Sequence, residues 1–263
     1  MRYDKAKLDA ITYDDKKLFT ILREPADNFE SVFVYNKDYP FQQWLGGSGY
    51  VKKFHEFIDS PNQFYDPKTS WSFRGKNYQA FDLGLDNEND SDRHINHAIQ
   101  LLDQEFDLVL ITEMFDESIL MLAKILCMSF EDVIYIKHKL RNNMNSRRIR
   151  LSLDDRAKLR SWNNIDAALY EFFKRRLVRK IKEEYGEDQM KADLLRLRML
   201  LAKEYSHCVK EYRPAAAKSS IVQPRLKPDT SDMCEKLVAD EVVAAERVRL
   251  KQTRRLADNL SKK

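Results

Sequence analysis

Residues 94–138 read HINHAIQLLDQEFDLVLITEMFDESILMLAKILCMSFEDVIYIKH, and their hydrophobic period changes three times. Ile95, Ala98, Ile99 and Leu102 recur on one face of a helix. Residues 106–112, FDLVLIT, then form an almost unbroken apolar run, which predicts a strand covered on both faces. Residues 116–126, DESILMLAKIL, return to helical spacing, with Asp116 near the cap. Residues 131–138, EDVIYIKH, read as a second strand, or as a short helix followed by one. Helix, strand, helix, strand is the pattern of an α/β layer with a parallel sheet.

The same reading extends towards the N-terminus. Residues 4–11 predict a short helix, and Leu18 to Leu22 a short buried strand that stops at Arg23. Pro25 suits the first turn of a following helix, whose buried face carries Phe29, Val32 and Phe33. Residues 36–80 are rich in aromatics and turns, with one apolar helix at VKKFHEFI, and predict an irregular wall or lid. The five acids Asp82, Asp86, Glu88, Asp90 and Asp92 predict a solvated loop.

Towards the C-terminus the chain reads as almost wholly helical. Ser152 with Asp155 is an N-cap signal, and Leu159, Trp162, Ile165, Leu169, Phe172 and Phe173 form an apolar stripe behind it. A second helix is expected over about residues 186–211, a loop at Pro214, Pro224 and Pro228, and a last helix over about 231–257. The expected division is a domain over 1–228 followed by a C-terminal helix and basic tail over 229–263.

The 263 residues suffice for a sizeable core. Forty-six Lys and Arg against 42 Asp and Glu leave a net charge of +4, too mild to imply a nucleic-acid partner. No stretch reaches the roughly 18 consecutive apolar residues that span a bilayer, and the charged opening MRYDKAKLDA has no signal-peptide core. Read literally, the chain is cytosolic. Cys127, Cys208 and Cys234 allow at most one disulfide and show no metal-ligand spacing. Asn-x-Ser triplets stand at Asn89 and Asn259; such triplets arise often by chance.

Chemistry concentrates at FTILREPADNFESVFVY, residues 19–35. A strand followed tightly by a helix delivers side chains to the carboxyl edge of a parallel sheet, where ligands of such folds bind. Arg23 offers a fork of donors suited to a phosphate, and Ser31 lies two helical turns on. The plain alternative is a surface ion pair for Arg23 and a polar helix face for Ser31.

The segment resembles the 3′-phosphate-binding segment of sulfotransferases that use 3′-phosphoadenosine 5′-phosphosulfate (PAPS). That pattern is an arginine at a strand end, usually Asp-Pro next, and a serine eight residues after the arginine. Arg23 and Ser31 match, and Glu24 replaces the usual aspartate. Residues 106–138 resemble the corresponding block of the galactose-3-O-sulfotransferase family. So do MRYDKAKLDAI, QAFDLGLD (79–86), LRSWNNIDAALYEFF (159–173) and, more weakly, CEKLVADEV (234–242).

The resemblance implies a P-loop sulfotransferase-like α/β fold, a parallel sheet flanked by helices with a largely helical C-terminal half. It implies transfer of sulfate from PAPS to the 3-hydroxyl of a terminal galactose on a glycolipid or glycan, with no metal. Arg23 and Ser31 would bind the 3′-phosphate. The implied home is the lumenal side of the Golgi membrane, held there by an N-terminal anchor. In that family the anchor and the 5′-phosphosulfate loop lie upstream of the position matching Met1. A second expectation therefore stands beside the first: a non-catalytic homologue serving as a PAP-binding or helical interaction module.

LGGSGY (45–50) and FRGKNYQ (73–79) read as turns rather than phosphate loops. None of His55, His94, His97, His138 and His207 is placed as the catalytic base, and His94 with His97 lacks further metal ligands. Nine basic residues (Lys137, Lys139, Arg141, Arg147, Arg148, Arg150, Arg156, Lys158, Arg160) read as a solvated face, with anion binding as the alternative. Trp44, Tyr50, Phe54, Trp71 and Phe73 read as core, with sugar stacking as the alternative.

Overall fold

The computed structural model describes residues 2–36, 39–47, 49–141, 149–214, 221–228, 230–239 and 241–260. They form two packed units, Met1–Leu126 with Arg147–Met190, and Cys127–Ser146 with Lys191–Lys263.

The first unit opens with helix α1 (Lys5–Asp9), whose N-cap Asp4 accepts a hydrogen bond from Lys7 N. Strand β1 (Phe19–Leu22) leads through Arg23 and Glu24 into helix α2 (Pro25–Tyr35). Four short helices follow: α3 (Phe41–Leu45), α4 (Tyr50–Asp59), α5 (Pro61–Phe64) and α6 (Tyr78–Asp82). Helix α7 (Asp92–Glu105) is capped by Ser91, and strand β2 (Leu108–Ile111) and helix α8 (Phe115–Ile125) come next. Helices α9 (Leu153–Trp162) and α10 (Asn164–Lys180) complete the unit, with the expected Ser152–Asp155 pair forming a reciprocal capping box for α9.

The parallel pairing predicted by the helix–strand alternation is present. Phe19, Thr20, Ile21 and Leu22 lie opposite Leu108, Val109, Leu110 and Ile111. Asp107 fixes the register, because its carboxylate accepts from Leu18 N at 2.9 Å while its own N–H donates to Leu18 O at 2.8 Å. All four β2 residues are buried, as an uninterrupted apolar run requires, and α8 and α10 pack on the strand. Ser118 of α8 accepts from Ile111 N at 3.0 Å and donates to Ile111 O, so the strand end is stitched to the helix.

Strand β1 departs from expectation. Phe19 is 50% and Ile21 45% exposed, and only Leu22 of the four is buried. Among the described residues the parallel sheet has just these two strands, so β1 has a neighbour on one edge only. A hollow of about 780 Å³ runs along it, bounded by Tyr3, Leu8, Ile11, Phe19, Ile21 and Phe106.

Residues 36–80 are not a lid. Phe41, Phe54 and Phe57 pack into a buried cluster with Phe29 and Phe33 of α2 and Leu159 of α9. The region holds four helices rather than one, because short helices let aromatic side chains converge from several directions. Trp44 lies partly buried against this cluster, whereas Trp71 is half exposed and Phe73 stacks on Phe81 with ring centroids 4.0 Å apart. The Tyr50 side chain lies outside the described residues. The acidic loop is also less solvated than expected: Lys76 binds Asp90 at 2.7 Å and Asn87 is buried.

Among the described residues of the second unit the expected second parallel strand does not form, and the short helix allowed before it is a single 3-10 turn at Glu131–Val133. Residues 134–138 of EDVIYIKH belong to no helix or strand ladder, and Val133 and Ile136 bury their side chains. Apolar spacing reported burial there, not pairing. Strand β3 (Leu140–Arg141) instead joins an antiparallel sheet.

Helix α11 (Glu187–Cys208) is followed by strands β4 (Val209–Pro214) and β5 (Ile221–Leu226) where a loop was expected. The order is β3-β5-β4, all antiparallel. Pro224 lies in the central strand, normally a poor place for it, but β3 reaches only Ile221 and Val222. At Pro224 the strand is therefore an edge on that side. The last helix is also two, α12 (Asp232–Val238) and α13 (Glu241–Leu260). Cys208 and Cys234 form a disulfide, and with Ile136 and Val209 they make this unit's small buried core.

Candidate functional site

The site begins where β1 and β2 both end. Parallel strands present their carboxyl ends at one edge, here Arg23 from β1 and Thr112 and Glu113 from β2. Thr112 Oγ1 donates to Leu22 O at 3.1 Å, and Glu24 N donates to Glu113 Oε1 at 3.0 Å. These bonds hold the two strand ends together where neither has further ladder partners.

Arg23 is clamped through its backbone. Its N–H donates to Gln79 Oε1 at 2.7 Å, and Gln79 Nε2 donates back to Arg23 O at 3.0 Å. Gln79 sits at the start of α6 on a buried carboxylate. Asp166 accepts from Gln79 N at 3.1 Å and from Ala80 N at 2.8 Å. Burial pushes the Asp166 carboxyl up to about 7, against the pull of those two backbone donors. Beside it, Asn77 Oδ1 accepts from Ile165 N, and Asn163 Oδ1 accepts from Asn77 N at 2.8 Å. A buried polar network of this kind fixes one arrangement when every member is paired.

Glu24 caps α2 by accepting from Asp27 N at 2.9 Å. It also receives Arg156 at 3.2 Å and Arg160 at 3.0 Å, while Arg156 grips Asp27 with both terminal nitrogens. Arg160 further pairs with Glu171. The Asp27 carboxylate holds the Arg156 guanidinium charged; burial opposes this for Arg160, and Glu171 and Glu24 outweigh it. Lys158 lies between Asp59 and Asp154. The solvated-face expectation thus becomes, for Arg156, Lys158 and Arg160, a set of structural ion pairs. Arg147 and Arg148 lie outside the described residues.

Arg23 and Ser31 are half-buried, Arg23 at the strand end and Ser31 on the second turn of α2. Among the described residues neither the Arg23 guanidinium nor the Ser31 hydroxyl has a hydrogen-bond or ion-pair partner. A free guanidinium fork and a hydroxyl form a donor set that fits a phosphate. Ser31 is the seventh of the eleven residues of α2, beyond the first turn where the helix dipole acts.

The other candidates serve structure. Gly49 caps α4 with φ +104°, in line with LGGSGY as a turn. Within FRGKNYQ, Gly75 O accepts from Trp162 Nε1, and Lys76 is held by Asp90. His55 lies 3.4 Å from the capping Asp155, His94 meets Asp86 O, and His138 meets Leu237 O. No group of three His, Cys, Asp or Glu among the described residues could hold a metal.

A model of the galactose-3-O-sulfotransferase family matches residues 1–252. The chain belongs to that family. It is 32% identical over 233 residues to the galactosylceramide sulfotransferase of Bos taurus, covering 85% of this chain and 53% of that one. With the human galactosylceramide sulfotransferase it shares 33% over 199 residues, 75% of this chain and 46% of the relative. With human galactose-3-O-sulfotransferase 2 it shares 30% over 231 residues, 87% and 56%. The chain spans about half the length of these relatives. No solved structure matches it.

The family resemblance singled out Arg23 and Ser31, but not Gln79, Asp166, Asn77, Asn163 or Glu113. The only signal for most of these was their membership of the family-like phrases QAFDLGLD and LRSWNNIDAALYEFF.

Proposed function

We propose that this chain carries part of a P-loop sulfotransferase-like fold and works in sulfate transfer from PAPS to the 3-hydroxyl of a terminal galactose on a glycolipid or glycan. Arg23 and Ser31 bind the 3′-phosphate of the nucleotide. The observation that carries this reading is the unspent guanidinium of Arg23 at the carboxyl end of β1, on a backbone clamped by Gln79. When bound, PAPS supplies the sulfuryl group and leaves as the bisphosphate, PAP. Arg23 supplies two parallel donors to the 3′-phosphate, and the Gln79 clamp keeps the strand end from shifting as charge enters. General base and phosphosulfate cradle are not assigned to any residue.

The working location under this proposal is the Golgi lumen. The Cys208–Cys234 disulfide supports an oxidising compartment. Among the described residues no helix is long and apolar enough to cross a membrane.

The test is calorimetry with PAP. Arg23→Ala should weaken binding by about 1.5–3 kcal/mol, roughly tenfold to a hundredfold. Arg23→Lys, which keeps the charge but not the fork, should fall between. Equal affinity for wild type and Arg23→Ala, or no PAP binding by wild type, rejects the site.

A further inference from the structure

The loop between α6 and α7 carries an Asn-x-Ser triplet, Asn89-Asp90-Ser91, that the site described above does not use. We propose that Asn89 is an N-glycosylation acceptor, modified by a lipid-linked pyrophosphoryl oligosaccharide. The proposal rests on the lumenal placement given above.

All three residues are exposed, and they lie in the loop immediately before α7, with Ser91 as its N-cap. Asn89 Oδ1 accepts from Ser91 Oγ at 2.8 Å and from Ser91 N at 3.3 Å. The triplet's two defining side chains therefore touch one another. The nucleophilic atom, Asn89 Nδ2, has no partner among the described residues, so attaching a sugar there breaks no internal bond.

The loop is anchored from beneath. Asn77 Nδ2 donates to Asn87 O, Asn87 Nδ2 donates to Lys76 O, and Lys76 neutralises the middle residue of the triplet, Asp90, at 2.7 Å. A shallow hollow of about 360 Å³, lined by Asn89, Ser91, Arg93, His94 and His97, leaves room for the first sugar. The other triplet is different: Asn259 falls in the last turn of α13, on helical backbone.

In the reaction Asn89 Nδ2 attacks C1 of the first sugar. The new N–C1 bond forms as the C1–O bond to the pyrophosphate breaks. The lipid pyrophosphate leaves with that electron pair, and one amide proton passes to base. No oxidant or reductant is needed.

The experiment places the full chain behind a cleavable secretory signal and translates it with microsomes. Delivery to the lumen is then imposed, so failure indicts the acceptor site, whereas failure of the sulfotransferase reading appears separately in PAP calorimetry. Wild type should show a single upward mobility shift that an endoglycosidase removes. Asn89→Gln and Ser91→Ala should abolish it, while Ser91→Thr and Asn259→Gln should retain it. A chain that reaches the lumen without any endoglycosidase-sensitive shift overturns the proposal, as does a shift that survives Asn89→Gln.

Discussion

Reduction of the Cys208–Cys234 disulfide should loosen the second unit selectively. The bond closes a loop of 26 residues. Loop-closure entropy for that length amounts to about 3.5 kcal/mol of constraint on the unfolded chain. This unit has little else to draw on, since two of the four residues in its buried cluster are the half-cystines themselves. Losing the link should raise the open population by two to three powers of ten, at about 1.4 kcal/mol per decade. Hydrogen exchange read by mass spectrometry measures it directly. On reduction, or in the Cys208→Ala/Cys234→Ala double variant, amides of the β4–β5 hairpin should lose protection by a factor of that order. Amides of β2, buried within the other unit, serve as the internal standard. Unchanged hairpin protection after complete reduction would refute the reasoning. So would alkylation of all three cysteines in the native, unreduced protein, because only the exposed Cys127 should react.

Two further outcomes follow from single residues. Asp166 titrates near 7 when folded and near 3.8 when unfolded, so between those values the folded chain holds a proton that the unfolded chain has shed. Stability should therefore fall as pH rises from about 4 to 7, by at most about 4 kcal/mol at 1.36 kcal/mol per pKa unit. Urea midpoints at several pH values should show this slope reduced in Asp166→Asn, and parallel profiles for the two proteins would exclude Asp166 as its source. Gly84 has φ +83°, and a Cβ there would lie 2.5 Å from Tyr3 O. Gly84→Ala should cost about 1–3 kcal/mol through strain and crowding, seen as a lower thermal midpoint, whereas an unchanged midpoint would mean that the N-terminal segment does not pack there.

What could be read from the sequence was what local chemistry determines. The uninterrupted apolar run at 108–111, the Ser152–Asp155 cap and Pro25 at the head of α2 each act within a few residues, and each was foreseen. What failed depended on partners elsewhere. EDVIYIKH has the composition of a strand but joins no ladder among the described residues, and VKEYRP and IVQPRL become strands because each finds the other across residues 215–220. The prolines at 214 and 224 argued for a loop, and only the shortness of β3 makes Pro224 tolerable. The exposure of Phe19 and Ile21 was equally hidden, since an apolar strand states what it prefers to bury and not whether anything lies on its other side.

The same distinction governs the site. Gln79 and Asp166 stand 56 and 87 residues from the backbone groups they hold, beyond any spacing rule. Arg23 is the converse case, because here the surroundings bear on two readings that the sequence left open, a phosphate contact and a surface ion pair. An arginine recruited for a surface ion pair needs a carboxylate, and the acids nearest in sequence are Glu24 and Asp27. Both are taken: Glu24 caps α2 and binds Arg156 and Arg160, and Asp27 is gripped by Arg156 through two nitrogens. Glu24, standing in place of the expected aspartate, both caps α2 and binds the two arginines. Under the proposed function, pairing of these two acids would also reduce the repulsion they exert on a phosphate at the head of α2. Two arginines are thus engaged by the carboxylates, while the Arg23 guanidinium has no partner among the described residues, which supports the phosphate contact proposed for it.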